Sequence, residues 1–180
     1  KKYICKYNKN NSTILKNIIP LLFMIISNQF FISQNNPCIS NNNIRVVILG
    51  SSTAAGYGTS NIDSAWVNKY RVYLETINSN NEVINLSQGG YSTYHIMKTG
   101  FSQPTGRPSP DTNKNISAAI ALNPDAIIIN LPSNDVSLGF SYLEQMNNLD
   151  SIVDFSNNNS VPIWICTTQP KNFSNLILRQ

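Results

Sequence analysis

The run from Val46 to Gly58, VVILGSSTAAGYG, constrains the fold of this chain more than any other stretch. Its first four residues are aliphatic with no polar alternation, so a strand built from them has two apolar faces to cover. That pattern belongs to the interior of a parallel sheet with helices on both sides. Gly50 stops the strand, and the small residues after it make a loop that carries Ser51 and Ser52. In an open parallel sheet, functional groups sit just beyond the carboxyl ends of the strands, which is where these two hydroxyls fall.

The rest of the chain supplies partners for that strand. Ile44–Leu49 is followed by an apolar helical spacing over Ser64–Ile77, with Asp63 or Ser64 as the expected N-cap. A short strand is expected at Glu82–Leu86, and a Pro/Gly-rich loop over Phe101–Asp111. A helix over Ile116–Leu122 ends at Asn123-Pro124. Further strands are expected at Ala126–Leu131 and Val161–Thr167, with a helix over Leu138–Phe155 between them. Strands alternating with helices give an α/β fold, a three-layer α/β/α sandwich with a parallel sheet. The fourth strand is apolar like a central strand, yet few residues follow it, and it lacks the charge that protects a natural edge. The expectation is therefore a sheet missing its last strand and helix.

Of the 13 basic residues, five (Lys1, Lys2, Lys6, Lys9 and Lys16) fall in the first 16 positions, where no acidic residue offsets them, which leaves 8 basic against 9 acidic residues in the rest of the chain. The net charge of +4 is thus a property of the amino terminus, and no basic stripe with interleaved aromatics suggests a nucleic-acid partner. The lysines lead into an apolar run, Ile18–Ile26, that is shorter than the roughly 20 residues of a membrane span. Residues 1–32 read as a signal peptide or amino-terminal anchor, 33–43 as a polar linker and 44–180 as the domain. A secreted, periplasmic or cell-surface location follows, with no stable membrane insertion of the mature domain. Cys5, Cys38 and Cys166 give no disulfide framework, and His95 is the single histidine, so neither a metal site nor a cofactor is expected. Gly56-Tyr57-Gly58 lacks the third glycine of a dinucleotide fingerprint, no Gly-x-Ser-x-Gly elbow is present, and Asp111, Asp135 and Asp154 are too scattered for a glycosidase pair.

Three loops at strand ends carry the chemistry: Gly50-Ser51-Ser52-Thr53-Ala54-Ala55-Gly56, then Asn85 to Thr93 with Gly89-Gly90, then Pro132-Ser133-Asn134-Asp135. In order and spacing they resemble the first three blocks of the SGNH (GDSL-type) hydrolases, esterases on a flavodoxin-like sandwich. Serine stands here for the aspartate of Gly-Asp-Ser, and proline for the glycine of Gly-x-Asn-Asp. The fourth block, Asp-x-x-His, has no counterpart. The resemblance covers the amino-terminal two-thirds of such a domain. It implies Ser52 as nucleophile, with the Ser52 and Gly90 amides and the Asn134 side chain as the oxyanion hole. Ser51, His95 and Asp135 are expected as substrate-contacting residues. His95 is also the one residue that could stand in for the missing base, although no aspartate is placed to orient it. The implied function is hydrolysis of small acyl esters, O-acetyl carbohydrate among them, with no activity expected from the chain as it stands. A catalytically dead glycan-binding module, a lysophospholipase- or thioesterase-like lipid ester hydrolase and a nonfunctional truncated product are the alternatives.

Overall fold

An aliphatic strand buried on both faces needs a sheet neighbour on each side and a helical layer above and below, and the computed structural model, which describes residues 43–131 and 133–167, provides both. Strand β1 (Arg45–Gly50) is buried from Val46 onward. It pairs in parallel with β2 (Glu82–Asn85) on one side and with the wholly buried β3 (Ala126–Asn130) on the other. Strand β4 (Ile163–Ile165) adds to β3, giving the order β2-β1-β3-β4.

The chain steps one way from β1 to β2, then crosses back over β1 to reach β3 and β4. Right-handed crossovers therefore put helices on opposite faces. Helix α1 (Trp66–Ile77) packs Val67, Tyr70 and Leu74 against Val46, Ile48, Ala126, Ile128 and Trp164. On the other face Ile116 and Ala119 of α2 (Ile116–Ala121) and Ile152 of the long helix α4 (Tyr142–Asn158) meet Val47, Leu49, Ile127, Ile129 and Ile163. This is the α/β/α sandwich expected from the sequence. The reversal of direction lies between β1 and β3, and a crevice opens beyond the carboxyl ends of strands at such a point.

Several boundaries differ from expectation. Asp63 and Ser64 are not the cap of α1: they lie in a preceding 3-10 turn, Ile62–Ser64, capped by Asn61, whose Oδ1 accepts from the Asp63 N–H at 3.0 Å. The helix expected from Leu138 is split. A single turn, α3 (Asn134–Ser137), ends before Gly139 at φ +75, and α4 starts afresh at Tyr142. Ser141 caps it reciprocally with Glu144, each side chain accepting from the other's backbone N–H at 3.2 Å. Strand β4 is shorter than the expected Val161–Thr167, since Pro162 has no N–H to donate, but the Pro162 carbonyl still accepts from the Ile127 N–H at 3.0 Å. The expected 101–111 loop is present and strapped to α4. Arg107 makes a forked pair with Glu144, Nε to Oε1 at 2.5 Å and Nη2 to Oε2 at 3.0 Å, and its guanidinium lies 4.3 Å above the Phe140 ring. That pair, with the Tyr94 hydroxyl, holds the Glu144 carboxyl down at about 2. The amino-terminal segment 1–32, all of the linker but residue 43, and the expected missing elements lie outside the described residues.

Candidate functional site

Gly50 closes β1 where only glycine fits. A Cβ there would stand 2.7 Å from the Asn130 carbonyl oxygen and 2.9 Å from both Ala54 Cβ and Ser87 Oγ. The chain then turns tightly. The Ala55 N–H bonds the Ser51 carbonyl and the Tyr57 N–H bonds the Ser52 carbonyl, both at 2.9 Å. Asn85, at the end of β2, steadies this turn through its side chain, donating to the Ala54 carbonyl at 2.8 Å.

Within the turn the two serines have different surroundings. Ser51 is fully buried and Ser52 is partly exposed. The Ser52 hydroxyl and backbone N–H make no hydrogen bond to the described residues. The same holds for the N–H of Gly90, which is exposed and held at φ +86, a conformation glycine adopts without strain.

Asn134 opens α3 beyond β3 and joins the other two loops. Its Nδ2 donates to Ser51 Oγ at 2.6 Å and to the Tyr91 carbonyl at 2.7 Å. A carbonyl can only accept, so the Tyr91 contact fixes which way the amide faces. One side chain thus holds the neighbour of Ser52 and the neighbour of Gly90 together. Both of its amide hydrogens are committed in this arrangement.

Asp135 turns inward instead of presenting its carboxylate to a substrate. It is 1% exposed, and its carboxylate accepts from the Thr93 N–H at 3.1 Å and the Thr93 hydroxyl at 2.5 Å. Asn148 of α4 completes the network by donating to Thr93 Oγ at 2.9 Å. Burial raises the Asp135 carboxyl above the ordinary aspartate range, and the Thr93 hydrogen bonds oppose the rise. The network ties α3 and α4 to the 3-10 turn Thr93–Ile96 that follows Gly90, and so keeps Asn134 in register with it.

His95 lies in that turn, stacked on Tyr91 with ring centroids 4.6 Å apart. Its Nδ1 accepts from the Ser92 N–H at 3.0 Å. A backbone N–H only donates, so the neutral ring carries its proton on Nε2. Burial lowers its pKa, against the pull of Asp135 and Asp111. To act as a base at Nε2 the ring would have to give up the Ser92 bond, and no hydrogen bond joins it to Ser52. Tyr91 is anchored in turn by its hydroxyl on Asp111, and burial with that bond pushes its own pKa up. Among the described residues no three His, Cys, Asp or Glu side chains gather as a metal would require.

Sequence reasoning located Ser51, Ser52, Gly90 and Asn134 at strand ends but missed Thr93, Asn148 and Tyr57. The Thr93 and Asn148 partnerships span 42 and 55 residues and leave no local signal. Tyr57 had one, since it stands between two glycines.

No model of a known protein family matches the chain, and neither does any curated protein. Solved structures do. A psychrotrophic esterase, EstA from Pseudoalteromonas sp., is 19% identical with a TM-score of 0.53, over 76% of this chain and 66% of its own. TesA is 19% identical with a TM-score of 0.51, over 66% of this chain and 57% of its own. An SGNH-hydrolase family esterase is 21% identical with a TM-score of 0.47, over 69% of this chain and 58% of its own. The chain thus shares the fold of esterases and spans about two-thirds or less of their length.

Proposed function

We propose that this chain carries the nucleophile and oxyanion groups of an exported SGNH-type serine ester hydrolase, acting on small acyl esters such as O-acetyl groups on carbohydrate. The observation that supports this most is the double hydrogen bond of Asn134, which draws the loops after β1 and β2 to the end of β3. In this reading Ser52 Oγ adds to the acyl carbonyl carbon. The oxygen that becomes negative is taken by the Ser52 and Gly90 amides and by Asn134 Nδ2, which exchanges Ser51 Oγ for it. Each such donor is worth on the order of 3 kcal/mol in a transition state. The carbon–oxygen bond to the alcohol then breaks, leaving the acyl group on Ser52.

The Ser52 proton must reach the departing alkoxide through a base. The resemblance assigns that role to the histidine of an Asp-x-x-His block, and the sequence has only His95. With Nδ1 held by Ser92, His95 is not that base. Hydrolysis of p-nitrophenyl acetate by the 180-residue chain is therefore expected to stay at the level of a Ser52→Ala control. A fluorophosphonate, which needs the nucleophile and the oxyanion hole, is expected to label Ser52 selectively at alkaline pH. Asn134→Ala should slow that labelling by about 100-fold. Label spread over other serines, or a rate indifferent to Asn134, would overturn the reading. Ser52-dependent turnover would overturn the exclusion of His95.

A further inference from the structure

Tyr57 is an exposed aromatic residue on the loop that carries Ser52, and the reaction scheme gives it no part. Its backbone closes the turn that carries Ser52, through the bond from its N–H to the Ser52 carbonyl at 2.9 Å. The tip of its ring reaches across to the next loop and rests on Gly89, the residue before the Gly90 amide. A Cβ on Gly89 would stand 3.1 Å from Tyr57 Cε2 and Cζ and 3.4 Å from its hydroxyl oxygen. Gly89 does not have the positive φ that would otherwise demand glycine, so the space it leaves is what seats the ring. Glycines at φ +86 and +82 on either side of Tyr57 set the direction in which it points. Despite this seating the residue is 65% exposed, and its hydroxyl has no hydrogen-bond partner among the described residues. Beside it Gln88 is held by Lys114 Nζ on Oε1 at 2.5 Å, while Gln88 Nε2 has no partner among the described residues.

An aromatic ring placed between nucleophile and oxyanion loops, then left to solvent, has the form of a contact surface for whatever carries the ester. We infer that Tyr57 is a substrate-specificity residue, a platform on which the sugar ring of an O-acylated carbohydrate stacks while Gln88 and Lys114 meet its hydroxyls. This rests on the ester hydrolase reading of the same site and assigns the alcohol half of the substrate. A pyranose ring has an apolar C–H face for the tyrosine and polar edges for an amide and an ammonium. A lipid chain would leave Gln88 and Lys114 unmatched.

The test is calorimetric binding of acetylated xylo-oligosaccharide to the 180-residue chain, with folding of each variant checked by thermal melt. Tyr57→Ala is expected to weaken binding roughly tenfold, while Tyr57→Phe and Tyr57→Trp stay within about twofold of wild type. Gly89→Ala displaces the ring without removing it. It should weaken binding in the wild-type background and have little effect in the Tyr57→Ala background. Tyr57→Ala binding as well as wild type, or a wild-type chain that takes up a long-chain acyl ester and no oligosaccharide, would overturn the assignment. Fluorophosphonate labelling on the same samples keeps the two readings apart. Loss of Ser52 labelling strikes the hydrolase reading, whereas intact labelling with Tyr57-independent binding strikes only the platform.

Discussion

Replacing Asp135 with alanine strands two donors that have nowhere else to turn. Thr93 is fully buried, so water cannot stand in for the carboxylate that takes its N–H and its hydroxyl. Each unmet buried donor costs on the order of 1–3 kcal/mol. Against that, removing the carboxylate relieves the cost of keeping a charge from water, the same cost that raises its pKa. The net loss expected for Asp135→Ala is about 3 kcal/mol. Asp135→Asn keeps one acceptor for the Thr93 hydroxyl, sets its amide against the Thr93 N–H, and carries no charge, so about 1 kcal/mol is expected. Urea unfolding followed by tryptophan fluorescence reads both, because Trp164 is buried in the sheet. With a slope of about 2 kcal/mol per molar, the midpoints should fall by about 1.5 M and 0.5 M. A reversed order, or an alanine variant within 0.5 M of wild type, would show that Thr93 finds other partners and that the network does not hold the site. The pH dependence has a definite sign. The folded pKa of Asp135 lies above its unfolded value, so the wild type is best placed against Asp135→Asn at low pH. It loses that advantage as pH rises through the folded pKa.

Two more perturbations bear on the same rim. His95 prefers its neutral form in the folded chain, so its contribution to stability is complete above about pH 6.5 and declines as pH falls through its lower folded pKa. Thermal melts between pH 8 and 5 should show this slope and His95→Asn should flatten it; an unchanged slope would place its origin elsewhere. Gly50→Ala puts a methyl group 2.7 Å from the backbone oxygen of Asn130, which cannot rotate away. A loss of about 2–3 kcal/mol in the same urea assay is expected, and a neutral substitution would mean that the end of β1 is looser than its contacts indicate.

Much of the architecture was legible because the signals are local. An all-aliphatic run such as Val46–Leu49 or Ala126–Ile129 can be satisfied only in the interior of a sheet, and both became central strands. The helix boundaries were less so. Leu138–Phe155 reads as one amphipathic stretch, and only the left-handed Gly139 and the Ser141–Glu144 cap show why it breaks. The Ser-x-x-Glu spacing of that cap is present in the sequence at Ser141–Glu144. At the site, Ser52, Gly90 and Asn134 could be marked by their positions after strands. The bonds of Asn134 to Ser51 and Tyr91, the acceptor role of His95 Nδ1 and the inward turn of Asp135 could not.

The sequence by itself determined where strands end, because a strand stops where apolar side chains give way to glycine and small polar residues. It thereby determined which hydroxyl, amide and glycine lie in the loops after Val46–Gly50, Glu82–Asn85 and Ala126–Asn130. Only the tertiary structure decided that these loops meet at one rim, joined through Asn134, since that depends on the chain crossing back over β1 and so placing β3 beside it. The same folding set Ser51 as the buried partner and Ser52 as the accessible one, and brought Tyr57 onto Gly89. Sequence neighbours fix what a loop can do, and contacts between distant residues fix what it faces.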